Sequence, residues 1–264
     1  MSRELPIGFK VPMVKGILED RKHQTRRGLG IKDFPHSKVI DFERVAFDKG
    51  TSRSIYEMRD AHGGHVYIPK GKHLQTPHYS PRYAVGDRLY VQEQWRTFVS
   101  LDPLTEENRP INLLTGRKGA GILYVAGGSM AVSNGPPRSW SYGGVVDRED
   151  AYGKVRQGMH LPRWGSRLTL TVTDVRVERL QDISEADAIA EGIEPVYDYR
   201  SPGETHWKDY EDSPHAVVPF LSPIKSYSSL WTAINGVGSW EKNPWVVAYT
   251  FTHEACNIDE QVLF

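Results

Sequence analysis

This sequence predicts an α+β chain built mostly from strands, and three observations predict it. Val85 to Trp95 and Ser166 to Leu180 alternate in the period of a strand, and Trp245 to Phe251 is apolar enough for a buried one. Twenty-four Gly, 17 Pro and 13 Tyr among 264 residues suit short elements joined by many turns. Helical periodicity is confined to three short segments, near Val11, Ser184 and Ser226.

The first of these sets up the most polar stretch of the chain. Val11, Val14, Ile17 and Leu18 fall on one helical face, which predicts a helix packed by its first half. Its continuation, Arg21-Lys-His-Gln-Thr-Arg-Arg27, gathers five cationic or potentially cationic groups around one hydroxyl, and Gly28 and Gly30 are expected to end the helix. Taken alone, such a stretch is a solvated basic helix end favoured by the macrodipole.

Next come three short strands, Lys38 to Phe47, Ser54 to Met58 and His65 to Ile68, with a turn at Asp60-Ala-His-Gly-Gly64. Gly86-Asp87 turns the chain into Leu89-Tyr-Val-Gln-Glu-Gln-Trp95. Residues 100–158 are rich in Gly, Pro, Ser and Asn around one apolar strand, Gly121 to Ala126, and read as an insertion peripheral to the main sheet with a hairpin of its own. Met159-His-Leu-Pro-Arg-Trp164 leads into the strand from Ser166 to Leu180. Ser184 and Asp187 form a capping pair for a helix through Ala190 that Gly192 ends. A second insertion, 195–222, precedes a helix over Ser226 to Ile234 and the final strand. The expected organisation is one elaborated domain over 1–264, with insertions at about 100–158 and 195–222.

Composition excludes several classes. Thirty-three basic and 33 acidic residues give zero formal charge, so nucleic-acid contact needs a local patch. A lone Cys256 rules out an internal disulfide and a Cys-rich zinc site. No run approaches the roughly 18 apolar residues of a membrane span, and the N-terminus lacks a signal-peptide core, so cytoplasmic residence is expected. His62 and His65 bracket a turn, and His253-Glu254 lacks the second His of a zincin helix, so no metal site is expected. Phosphate-loop and nucleophile-elbow motifs are also missing.

The basic stretch resembles the front of ASCH domains of the PUA-like superfamily, where an apolar helix ends in Gly-x-Lys-Thr-x-Thr-x-Arg. Lys22, Thr25 and Arg27 match the Lys, second Thr and Arg in register, while Asp20 replaces the glycine and His23 the first Thr. Gly86-Asp-Arg-Leu-Tyr-Val-Gln-Glu-Gln-Trp95 is similar to a second ASCH landmark in its extended form, as in the larger ASCH proteins of tailed phages and prophages. Leu180-Gln-Asp-Ile-Ser-Glu-Ala-Asp-Ala-Ile-Ala-Glu-Gly-Ile193 resembles the helix carrying the family's acidic site residue, which alignment puts at Glu191.

The resemblance implies a PUA-like mixed β-barrel with flanking helices, in which the three strands of the opening paragraph belong to one barrel. It implies an RNA, DNA or modified-nucleoside partner and no cofactor. In the family's amidohydrolases acting on N4-acetylcytidine, Lys accepts a proton, Thr is the nucleophile and Glu the proton donor, roles that fall here on Lys22, Thr25 and Glu191. Crowding by Arg21, Arg26 and Arg27 would lower the Lys22 pKa. Substrate contacts are expected from His23, Arg26 and Arg27, from Tyr90, Glu93 and Trp95 along the strand, and from Arg163 and Trp164 in the lead-in. Tyr90 and Trp95 are candidate stacking platforms. His23 stands open between a second general base, a stacking ring and a surface imidazole. A hydrolase of modified pyrimidines, a non-catalytic RNA or modified-base reader, and a protein docking through residues 100–158 are the competing functions.

Overall fold

The computed structural model describes residues 2–30, 39–48, 53–70, 73–75, 78–97, 122–130, 153–197, 203–211 and 219–259. In chain order the elements are β1 (Glu4–Gly8), α1 (Val11–Leu18), β2 (Gln24–Gly28), β3 (Asp41–Asp48), β4 (Arg53–Arg59), β5 (Ile68–Lys70), β6 (His73–Gln75), β7 (His78–Tyr79), β8 (Arg88–Gln92) and β9 (Trp95–Arg96). They continue with β10 (Ile122–Tyr124), β11 (Ser129–Met130), β12 (Thr169–Arg179), α2 (Glu185–Ala190), β13 (Pro195–Val196), β14 (His206–Trp207), α3 (Pro223–Asn235) and β15 (Trp245–Glu254). The chain is therefore α+β and mostly strand. Among the described residues the sheets are open and no barrel closes, and no helix is long and apolar enough to cross a membrane.

Contacts divide the chain into two compact units: Met1–Arg3, Glu19–Asp87 and Thr171–Thr252 form the first, and Glu4–Leu18, Arg88–Leu170 and His253–Phe264 the second.

In the first unit the strand order is β12-β15-β2, with β15 antiparallel to β2 so that Tyr249 faces Thr25 and Val247 faces Arg27. Burial on β12 alternates only from Leu170 to Thr173; Thr169 before it is also buried, and the second half of the strand is uniformly half-buried. A second antiparallel sheet, β3-β4-β7, carries Phe42, which meets Tyr56, Tyr79 and Trp245 edge-on. The expected turn at Asp60 closes through its own carboxylate, which accepts the His62 and Gly64 amides at 2.9 and 2.8 Å. A third predicted strand is displaced: His65–Tyr67 precede β5, which begins only at Ile68.

Helix α2 forms where its capping pair predicts. The Ser184 side chain accepts the Asp187 amide, and Gly192 turns the chain out at φ +87°. Helix α3 starts earlier than its periodicity suggests, because Ser222 caps it and Pro223 occupies the first turn. Leu180, Ile183, Ala188, Ile193, Tyr227 and Val246 form the core between these elements. Trp207 and Tyr210, from the 195–222 insertion, pack against that core.

Helix α1, in the second unit, buries Val14 and Ile17 and stops at Leu18. This corrects the expected helix through Arg27. Asp20 adopts a left-handed φ of +57°, and Gln24–Gly28 is a strand. The reversal falls at the position where the resembled motif has glycine, the residue most tolerant of that conformation.

Also in the second unit, β1 runs parallel to β8, and the Val91 amide bonds the Leu168 carbonyl at 3.0 Å. Most of the 100–158 insertion lies outside the described residues. The part that is described forms a hairpin, β10–β11, in a three-stranded sheet with β9, and buries Ile122 and Tyr124 against Trp95 and Leu161. The Tyr124 hydroxyl donates to the Gly165 carbonyl at 2.7 Å. Apolar residues at the two buried positions of a three-residue strand explain why this segment joins the core despite its Gly-rich flanks.

Ile122→Ala should lower stability by about 2–5 kcal/mol in urea unfolding. A hairpin lying on the surface would change by less than about 0.5 kcal/mol.

Candidate functional site

Lys22 sits between the reversal at Asp20 and β2, where the chain runs alongside the end of α2. Its backbone bridges Glu191, and the His23 amide donates to the Ala190 carbonyl at 2.8 Å. Gly192 makes that approach possible: a Cβ there would lie 2.7 Å from Lys22 Cβ. Two segments 169 residues apart in sequence are thereby held backbone to backbone.

The side chains continue the joint. Lys22 Nζ donates to Glu191 Oε2 at 2.8 Å, to the Glu191 carbonyl at 2.7 Å and to the Gln24 carbonyl at 2.8 Å. Three donors meet three acceptors, so the ammonium is fully satisfied. Lys22 is 1% exposed and Glu191 5%. Burial pushes the Lys22 pKa down, the Glu191 charge and hydrogen bond oppose this, and Arg27 and Arg26 reinforce it. Lowering by arginines was the expectation; burial is the larger cause, and Arg21 instead pairs with Glu19 and the Gly192 carbonyl.

Thr25 is buried, and the carbonyl taken by Lys22 belongs to the peptide bond that joins Gln24 to Thr25. The ammonium is therefore bound to the peptide group that leads into the Thr25 backbone. Strand alternation puts Gln24 and Arg26 on one face of β2 and Thr25 and Arg27 on the other. The expectation that Lys22 and Thr25 share a helical turn is overturned, because their relation comes from a bridge followed by a strand.

Arg26 lies at the centre of the charge network. Its Nη1 donates to Glu191 Oε1 at 3.2 Å and to Gln24 Oε1 at 2.6 Å. Nε and Nη2 grip Glu178 Oε1 at 3.0 and 2.7 Å, and Nη2 also reaches Asp187 Oδ2 at 3.1 Å. Asp187 in turn accepts Gln24 Nε2 and Arg176 Nη2 at 3.0 and 2.9 Å. The Arg26 side chain has no exposed surface, and its donors are taken by these internal partners. Arg27 is half-buried, and burial is the main force lowering its pKa, opposed by Tyr83, Glu191, Tyr249 and Tyr227. His23 keeps a partly exposed ring, which meets the Asp20 carbonyl at 2.9 Å.

The other five expected contacts belong to the second unit. Glu93 is gripped bidentately by Arg167 at 2.8 and 2.9 Å, and Arg167 also donates to the Gly127 carbonyl at 2.7 Å and lies 4.1 Å from the Tyr124 ring centroid. This pair braces the β10 hairpin. Burial raises the Glu93 pKa against the lowering effect of Arg167. Trp95 is buried in the core and offers no open face for stacking, and Trp164 packs partly buried against the same cluster. Arg163 pairs with Asp259 and Glu4 and stands 5.6 Å from the half-buried Tyr90 ring. These side chains serve internal pairing and packing.

Gln24, Glu178 and Tyr227 belong to the site's surroundings and were not expected there. Arg21-Lys-His-Gln-Thr-Arg-Arg27 holds no apolar residue whose spacing would reveal a buried strand. Asp187 was legible only as a capping residue.

No protein-family model, curated protein or solved structure matches this chain.

Lys22→Ala or Glu191→Ala alone should cost about 3–5 kcal/mol by leaving a buried charge unpaired. Lys22→Met with Glu191→Leu should cost less than either single change, since both charges leave together and Arg26 keeps Glu178 and Asp187. Urea unfolding of the four proteins checks this.

Proposed function

We propose that this chain is an ASCH-like, nucleic-acid- or nucleoside-directed hydrolase of the C–N bond in N4-acylated cytosine or a related modified base. A PUA-like fold is part of the same proposal. The observation that carries it is the buried Lys22–Glu191 ion pair, formed by two of the three residues that the motif register selects, with the third, Thr25, buried on the adjoining strand. Two buried charges are costly to hold, and perturbed titratable groups concentrate at functional sites.

Lys22 works as an amine, the form that burial favours. Its lone pair takes the Thr25 hydroxyl proton while Oγ1 attacks the acyl carbon. The proton crosses the hydrogen bond to the Glu191 carboxylate and passes to the departing N4 amine. Water then cleaves the threonine ester: Lys22 takes a proton from the water and returns it to Thr25 Oγ1. Atoms and charges balance over the cycle.

A reader without turnover is the second reading, and one observation favours it: all three donors of the Lys22 ammonium are already engaged. Both readings need the site to open, since Lys22, Thr25 and Glu191 are 1, 2 and 5% exposed.

A panel of N4-acylated cytidines, free and within RNA and DNA oligonucleotides, separates the readings. Turnover should occur, Thr25→Ala should abolish it, and binding should persist in that variant because the nucleophile acts in the chemical step. Binding without turnover, weakened by Arg27→Ala, identifies the reader. Neither binding nor turnover sinks both.

A further inference from the structure

We propose that Arg26 is a positioning residue: it clamps Glu191 by Oε1, leaves Oε2 to Lys22, and supplies the fixed positive charge against which Lys22 holds or releases its proton. The inference rests on the reading of Lys22 and Glu191 as the site.

The geometry is specific. One carboxylate is shared, Oε1 to Arg26 at 3.2 Å and Oε2 to Lys22 at 2.8 Å. A planar guanidinium with its five donors cannot rotate away without abandoning Glu178, Asp187 and Gln24 together. The clamp thus fixes the Glu191 carboxyl in the orientation that a proton relay from Lys22 needs.

The groups around Lys22 come from every element packed there. Arg26 and Arg27 stand on β2, Glu178 on β12, Asp187 on α2, Glu191 at its end and Tyr227 on α3, while Tyr83 and Tyr249 lie beside Arg27. Arg21 is engaged by Glu19 and the Gly192 carbonyl. Outermost, Arg176 pairs with the exposed Asp174 as well as with Asp187 and Glu178. Tyr227 stays protonated, its pKa raised by burial first. Inside that outer pair, Lys22, Arg26 and Arg27 oppose Glu178, Asp187 and Glu191. Arginine does not release its proton at working pH, so Lys22 is the cation of the three whose charge can change. Removing Arg26, or a carboxylate that holds it, should therefore move the Lys22 proton.

The test labels lysine with 13C or 15N and follows the Lys22 signal, assigned by its loss in Lys22→Met, through a pH titration of the substrate-free protein. Arg26→Gln removes a like charge, so the Lys22 titration should move to higher pH by about one pH unit or more. Arg26→Lys should restore most of the original midpoint. Asp187→Asn removes an opposite charge and should move it to lower pH. If turnover is present, the rising limb of its pH profile should follow the same two directions.

Opposite shifts support the proposal, because a general loss of packing would not reverse sign between the two variants. Unmoved midpoints, or shifts in the same direction, overturn it. Where Arg26→Gln fails to fold, Asp187→Asn carries the test, and a midpoint that stays or rises overturns the proposal. Opposite shifts without turnover of any acylcytidine would leave Arg26 in this role and remove the hydrolase reading.

Discussion

The structure of the first unit turns on the placing of an ammonium and a carboxylate away from water. Each loses hydration worth several kcal/mol, and their attraction offsets this only with good geometry and no remaining unsatisfied atoms. Lys22 and Glu191 meet both conditions: three donors have three acceptors, and the second carboxylate oxygen belongs to Arg26. That requirement propagates outward. Arg26 requires Glu178 and Asp187, Asp187 requires Arg176 and Gln24, and the backbone of Glu191 requires a glycine after it. Strand β2 is thus a polar strand made buriable by partners on β12 and α2.

The same requirement explains what could be read from the sequence. Strands β8, β12 and β15 carry Leu89, Val91, Leu170, Val172 and Val246 at alternating or continuous apolar positions, and burial of that kind leaves a period. Helix α2 announced itself through Ser184, because a cap is a local interaction between neighbours in sequence. Strand β2 left no such mark. Its burial is sustained by ion pairs to residues more than 150 positions away, and no local pattern encodes those partners. The helix expected through Arg27 was the natural error, since polar residues after an amphipathic turn look like its solvated end.

The candidate site was legible in a different way. Lys22, Thr25 and Glu191 came from motif register, not from periodicity, and the pairing of Lys22 with Glu191 is a geometric fact the sequence alone does not contain. Register was less informative for Glu93, Trp95, Arg163 and Trp164, whose chemistry is equally suited to bracing a fold. Arg167 closing on Glu93 shows why: a buried carboxylate beside a guanidinium reads the same whether it holds a hairpin or a ligand. What separates the two ion pairs is the neighbour. Glu93 and Arg167 stand among Tyr124 and the Gly127 carbonyl, whereas Lys22 also takes the carbonyl of the peptide group that leads into buried Thr25.

That difference bears on why a lysine occupies the position. An arginine would serve a purely structural pair better, since its fork binds a carboxylate through two parallel bonds and its charge is permanent. Arg167 and Glu93 take that solution. At residue 22 the cation is the kind whose charge yields to burial, and two permanent cations stand close enough to press on it. An arrangement selected only to hold β2 against α2 has no need of that property. A proton acceptor does, and so does any site whose affinity for a ligand depends on whether the amine is charged. On the proposed reading, the fixed charges of Arg26 and Arg27 set the condition under which Lys22 keeps or yields its proton.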